Sequence, residues 1–323
     1  MTELFVKPES STLAKPLTRA EMMVLFFKGM AMGAADVVPG VSGGTIAFIS
    51  GIYQRLIEAI KSLEPRALSI LYKEGFKTFW RHIDGAFLSV LFAGILTSVI
   101  SLAKIIGYCL EQYPILVWSF FFGLVLASIV YIFSQLRGWS WREILLLILG
   151  ALIALAITSV RPTQLPAEWW MLMIAGSIAI CAMILPGISG SFILLIMGMY
   201  SVFINALKNF ELALLGGFVA GCVIGLMLFS HLLSWLLKHY QNFMLALLTG
   251  FLVGSLKTIW PWKEVITTTM DRHGKEKPLV QADVSPFYYE QISGEPHQLF
   301  LAIVMMTLGI VLVLGLEKLG DKS

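Results

Sequence analysis

Apolar runs of about twenty residues recur along this chain, over 86–109, 114–134, 143–160, 212–236, 243–260 and 298–316. A helix needs about twenty such residues to cross roughly 30 Å of hydrocarbon. Of the 323 residues, 58% are hydrophobic and 13% charged, against about 25% charge in a soluble domain. Only a bilayer shelters that much apolar surface, so the sequence predicts an all-α polytopic membrane protein with about six full transmembrane helices. Residues 1–20 are polar, carry Pro8 and Pro16, and lack the apolar core and cleavage site of a signal peptide. They are expected to be a short cytoplasmic tail. Cys109, Cys181 and Cys222 fall in or beside apolar runs without paired spacing, which points to small packing residues and to neither disulfides nor metal.

Two further apolar stretches, 22–60 and 169–207, are interrupted by nearly the same polar turn: "DVVPGVSGGTIAF" from Asp36 and "MILPGISGSFILL" from Met183. Each reads as helix, break, helix, a hairpin returning to the side it entered. The turns belong to a duplication. A shift of 147 positions (186 − 39) lays Pro39, Gly40, Ser42 and Gly43 on Pro186, Gly187, Ser189 and Gly190, and Lys61 and Glu64 on Lys208 and Glu211. Further on, a shift of 127 (221 − 94) lays Gly94, Tyr113 and Gly123 on Gly221, Tyr240 and Gly250. The two repeats are expected over 21–160 and 168–319. Residues 65–84 are an insert in the first, where bases alternate with Leu, Ile, Phe and Trp. Such a segment suits the surface of a leaflet of anionic lipid, although a basic loop that merely sets topology has the same composition.

Basic residues set orientation. Arg55, Lys61, Arg66, Lys73, Lys77 and Arg81, then Arg137 and Arg142, then Lys238, then Lys318 and Lys322 can all be cytoplasmic together if both termini are inside. The loop 261–297 is then outside. Each half makes three crossings and one returning hairpin, so the second half is inserted upside down. That inverted-topology repeat, with two broken or re-entrant helical hairpins, is a plan of secondary transporters. Non-helical backbone at membrane depth is tolerated only where protein or a polar cavity surrounds it.

Pro39, Gly40, Pro186 and Gly187 are the expected helix breaks, because proline denies the preceding turn a hydrogen bond and glycine frees the backbone. After each break, the free amides of a helix N-terminus and the hydroxyls of Ser42, Thr45, Ser189 and Ser191, with Gly43, Gly44 and Gly190, suit an anion such as phosphate. A tight packing turn without ligand has the same residues. Arg55 is a candidate to neutralise a phosphate, or a topology marker. Asp36, an acid at membrane depth opposite Met183 in the repeat, is a candidate to carry H+ or Na+; capping amides or pairing with Lys28 or Arg55 is the alternative. Lys104 and His231 occupy equivalent positions near helix ends and read as snorkelling side chains. Arg161 is an interfacial anchor or a headgroup attractant. Gly217, Gly221 and Gly225 form a small-residue ladder for helix packing.

Gly40-Val41-Ser42-Gly43 also fits the nucleophile signature of an intramembrane serine protease, with Ser42 or Ser189 attacking and His231 as base. The duplication speaks against it: a transporter needs two gates, whereas a protease needs one nucleophile. A membrane scaffold without transport is a third reading. No Walker-type loop is present, so ATP is not expected, nor any other cofactor or nucleic acid.

The motifs "GAADVVPGVSGGTIAFISGIY" and "LPGISGSFILLIMGMY" resemble the polyprenyl-phosphate transporter family of bacterial inner membranes, formerly a domain of unknown function, over nearly the whole chain. The resemblance implies a flippase that is not an enzyme and that returns undecaprenyl phosphate from the outer to the inner leaflet for cell-wall and surface-polymer synthesis. It carries a role in handling the headgroup onto Asp36, Pro39, Gly40, Ser42, Gly43, Gly44, Thr45, Pro186, Gly187, Ser189, Gly190 and Ser191. From the residues alone, a transporter of a small soluble anion remains equally open.

Overall fold

The computed structural model describes residues 17–38, 41–136, 138, 140–160, 165–270 and 276–320; the expected breaks at Pro39 and Gly40, and Arg161, lie outside them. Thr18 opens α1 (Arg19–Val37) with a reciprocal cap, its hydroxyl accepting from the Glu21 amide while the Glu21 carboxylate accepts from its own. The short α2 (Gly43–Ile49) and α3 (Tyr53–Lys61) complete the first hairpin. The insert folds as α4 (Pro65–Glu74) and α5 (Phe76–His82), with Leu68, Tyr72 and Phe76 facing outward among its bases. Then come α6 (Gly85–Gln112), α7 (Pro114–Gln135) and α8 (Trp141–Ser159). The second half runs α9 (Trp169–Ile184), α10 (Gly190–Ile196), α11 (Met199–Lys208), α12 (Leu212–His239), α13 (Gln241–Ser255) and finally α15 (Leu299–Gly320). Between those last two lie β1 (Lys263–Met270), β2 (Glu276–Asp283) and α14 (Pro286–Ser293). The chain is a helical multi-pass membrane protein: α6, α7, α8 and α12 are each long and apolar enough to cross a bilayer, and α10 and α11 form a pair bent by 107°.

Two expectations are refined. The helix expected over 243–260 ends at Ser255 and tightens into turns before Pro261, which cannot continue a helix. The segment 261–297, expected as a loop, holds the antiparallel pair β1–β2 and α14. Its anchor is aromatic. Trp262 is buried with Ile115 and Ala302, Trp260 meets Phe122 edge-on at 5.5 Å, and the Lys263 ammonium lies 4.8 Å above the Trp118 ring. These contacts tie the strand pair to the start of α7 and of α15.

The packing repeats at the duplicated positions. A side-chain carbon on Gly94 would come within 2.2 Å of the Phe26 carbonyl oxygen, and one on Gly221 within 1.9 Å of that of Met173. Those four residues are equivalent under the two shifts, so α6 lies on α1 as α12 lies on α9. Similarly, Gly123 approaches the Met306 carbonyl and Gly250 that of Leu147. Here, however, the partners are exchanged: α7 packs on α15 and α13 on α8, so neither half completes its core alone. The direction of the halves is legible in two ion pairs of α3. Arg55 binds Asp84, just before α6, and Glu58 binds Lys238, near the end of α12. The start of α6 and the end of α12 therefore lie at one end of the molecule, and these long helices run oppositely.

Because Gly221 touches backbone rather than a flexible side chain, Gly221→Val is expected to force α9 and α12 apart, at a cost of about 3 kcal/mol or more. Gly216, in the same helix, has open space where its side chain would be, so Gly216→Ala is expected to leave the melting temperature unchanged or higher. Thermal unfolding of the two variants in detergent checks the contrast.

Candidate functional site

The two turns meet. From the first, the Ser42 hydroxyl lies 3.1 Å from the Met183 carbonyl and 3.3 Å from that of Leu185, at the end of α9. The Gly187 amide donates to the Thr45 hydroxyl at 3.0 Å. These bonds satisfy backbone groups that the second break strips from its helix, as buried polar groups require. Gly187 itself has φ +85° and sits 3.0 Å, measured from where its side chain would be, from the Phe251 carbonyl; a side chain there would be both strained and crowded.

Equivalent positions do different work. Asp36 reaches across the first break and accepts from the Gly43 amide at 2.7 Å, and Ser42 accepts from the Gly44 amide at 3.1 Å. The amides that open α2 are thus occupied by the chain's own acceptors, and all seven residues of α2 are buried. At the second turn, Ser189 makes no such cap on α10. Its hydroxyl is 2.9 Å from that of Ser191, which is exposed. Gly190 packs its backbone on Ala179.

Beside α10 runs a narrow crevice lined by Thr158 of α8, by Gly187, Ser189 and Phe192, and by Thr258. The Thr258 hydroxyl is buried and has no hydrogen-bond partner among the described residues. The Thr258 hydroxyl, the Ser189–Ser191 pair and a helix start without a side-chain cap make this crevice the part of the junction chemically disposed to accept an oxyanion, whereas the Thr158 hydroxyl donates to the Leu155 carbonyl at 3.0 Å. Sequence reasoning named Ser189 and Ser191 but missed Thr158 and Thr258. Both stand at helix ends far along the chain, and no motif marks them.

Arg55 is engaged elsewhere. Its guanidinium grips Asp84 with two bonds, at 2.7 and 3.1 Å, and stacks over Phe87. The buried cation of the hairpin is instead Lys28, only 7% exposed, whose ammonium donates to the Ser50 carbonyl at 2.7 Å. It forms no ion pair among the described residues. Lys28 does not neutralise Asp36; the sequence offered it only as an alternative partner of that acid, and its burial makes it a functional candidate. Ser42 and His231 are not brought together: His231 engages the Met227 carbonyl and lies 3.7 Å from Glu64. His231 is therefore not placed to activate Ser42.

The chain matches the model of the VCA0040-like family, described as undecaprenyl phosphate translocase-like, over residues 32–277. It is 50% identical over 297 residues to a polyprenyl-phosphate transporter of Vibrio cholerae serotype O1, covering 92% of this chain and 96% of that protein. It is 32% identical over 255 residues to a polyprenyl-phosphate transporter of Staphylococcus aureus, covering 72% and 84%. No solved structure gives a significant match.

Proposed function

We propose, from the premise that this chain belongs to the undecaprenyl phosphate translocase-like family, that it is a flippase returning undecaprenyl phosphate from the outer to the inner leaflet of the bacterial cytoplasmic membrane. The names of its family and of its relatives are those of transporters of polyprenyl phosphate, not of enzymes. The observation that carries the finer reading is the junction of the two turns, with hydroxyls of Ser189, Thr158 and Thr258 gathered at the start of α10. A phosphate monoester offers acceptor oxygens, and the Thr258 hydroxyl and the Ser189–Ser191 pair offer donors. The isoprenoid tail stays in lipid while the headgroup passes the junction. The opposed hairpins act as two gates to one site, with both termini and the basic insert on the cytoplasmic side. Leu68, Tyr72 and Phe76, with Arg66, Lys73 and Lys77, rest on anionic lipid there.

Moving a dianion inward opposes an inside-negative potential by about 2.3 kcal/mol per charge per 100 mV. A co-transported H+ or Na+ offsets this, and Asp36 is its carrier in this reading. In Asp36→Asn the amide oxygen still accepts from Gly43, so the fold is kept. Acceleration of transport by an imposed H+ or Na+ gradient is expected to disappear, and acceleration equal to the wild type excludes Asp36.

The substrate is tested by ligand-induced thermal stabilisation of the purified protein. Undecaprenyl phosphate is expected to stabilise at concentrations where undecaprenol and inorganic phosphate do not. Equal stabilisation by inorganic phosphate alone would favour a soluble anion.

A further inference from the structure

The two halves break their symmetry in one respect. In the first hairpin, α2 packs against α7, α9 and α15, and α3 packs across the molecule onto α12. In the second, neither α10 nor α11 makes comparable packing on the first half among the described residues. All of α2 is buried, whereas α10 exposes Ser191 and Leu195.

The contact of α3 with α12 is a polar latch. Glu58 lies 2.9 Å from the Lys238 ammonium and accepts from the Ser234 hydroxyl at 3.0 Å. Lys61 donates to Ser234 at 3.3 Å, and Glu64 lies 3.7 Å from His231. The duplication carries part of this latch to the other half; Glu58 and Ser234 fall on Asn205 and Gly107. On the hairpin side, the shift of 147 takes Lys61 to Lys208 and Glu64 to Glu211. On the long-helix side, the shift of 127 takes His231 to Lys104 and Lys238 to Glu111. The counterpart of the Glu64–His231 pair is Glu211 with Lys104, which are of opposite charge; Lys208 and Glu111 are also of opposite charge, although the residues they replace, Lys61 and Lys238, are both basic and do not pair with each other. Yet Lys104, Glu111 and Lys208 are exposed and make no ion pair among the described residues, and Glu211 accepts only from Asn209. Duplication alone does not require this, because the residues on α6 and α12 differ: histidine has become lysine, and lysine has become glutamate. At Glu211 and Lys104, complementarity has been kept while identity has not.

We propose that Lys104, Glu111, Lys208 and Glu211 form a second latch, closed when the first is open, so that α11 docks on α6 as α3 docks here on α12. The present structure is then the state latched at α3 and released at α11, which with cytoplasmic termini is open outward. The inference rests on the two-gate reading of transport, but its test does not need the cargo.

The full chain in liposomes, with Cys109, Cys181 and Cys222 replaced by alanine, carries Glu64→Cys with His231→Cys, or Lys104→Cys with Glu211→Cys, or all four. A short bifunctional thiol reagent is expected to bridge either pair. In the four-cysteine variant, each molecule is expected to carry one bridge and never both. In the four-cysteine variant the first bridge also reports that the protein is folded. Absence of the Lys104/Glu211 bridge where the Glu64/His231 bridge forms overturns the proposal, as do both bridges in one molecule. Reversal of charge is the second arm: Lys104→Glu should lower the yield of an α6–α11 bridge placed at Glu111→Cys and Lys208→Cys by at least about fivefold, and adding Glu211→Lys should restore it. A failure to restore overturns the pairing. If the bridges exchange but undecaprenyl phosphate never changes their ratio, the latch stands and the substrate reading falls.

Discussion

Lys28→Met is expected to lower transport by about 100-fold while leaving the melting temperature unchanged or a few degrees higher. A buried ammonium pays a desolvation cost that a single carbonyl at 2.7 Å offsets in part. Methionine has nearly the same length, no charge, and an apolar fit to helix α1. Removing an unpaired buried charge is therefore neutral or favourable for the fold. The repeat supports this: the residue equivalent to Lys28 is Ala175, which is fully buried, so the shared packing does not call for a cation. A buried charge that the shared packing does not call for, in a membrane protein, is a functional candidate. Lys28→Arg keeps the charge but requires more space, and an intermediate rate is expected. Transport assays beside thermal unfolding separate the outcomes. Loss of both together would make Lys28 a structural cap on the end of α2, and retention of transport in Lys28→Met would remove it from the path.

Thr45→Val is expected to lower both stability and transport, and Thr45→Ser to keep most of each. Valine has the shape of threonine without the hydroxyl, so the Gly187 amide loses its acceptor at 3.0 Å. An unsatisfied buried amide costs about 1–3 kcal/mol. This amide sits in the break of the second hairpin, where the helix offers no substitute. The loss is expected to loosen the junction of the turns and to slow transport by about tenfold or more. Serine retains the acceptor and loses one methyl group, a smaller change. A Thr45→Val protein with normal stability would mean that the two turns are not held together by this bond. Unfolding midpoints and transport rates, measured on the same preparations, decide the matter.

Much of the fold was legible because membrane helices leave a strong imprint. Long apolar runs marked α6, α7, α8 and α12, and the matched Pro-Gly-x-Ser-Gly turns marked both hairpins. The duplication was legible to the residue: α6 and α12 correspond end to end under a shift of 127. What the sequence concealed were exchanges between distant segments. Nothing local says that α7 leaves its own half to pack on α15, or that Ser42 binds the end of α9. The strand pair within 261–297 was missed because a polar loop has no hydrophobic pattern to betray it; its anchors, Trp260 and Trp262, look from the sequence like an interfacial belt. At the site, the motifs located the junction, but its asymmetry was invisible. Asp36 and Ser42 occupy the amides of α2, while Ser189 leaves those of α10 without a side-chain cap. Only contacts reveal that Arg55 is spent on Asp84 and that Lys28 is the buried cation.

In the proposed transport, the headgroup of a polyprenyl phosphate passes between the two turns. The most direct measurement is leaflet access of undecaprenyl phosphate in proteoliposomes, read by a membrane-impermeant phosphatase, for the wild type and for Ser189→Ala/Ser191→Ala. Lipid phosphate in the inner leaflet is protected unless it is carried outward. The account expects the wild-type protein to abolish that protection and the double variant, folded and inserted to the same extent, to restore most of it. Protection that persists with wild-type protein, under imposed H+ and Na+ gradients as well, would contradict it.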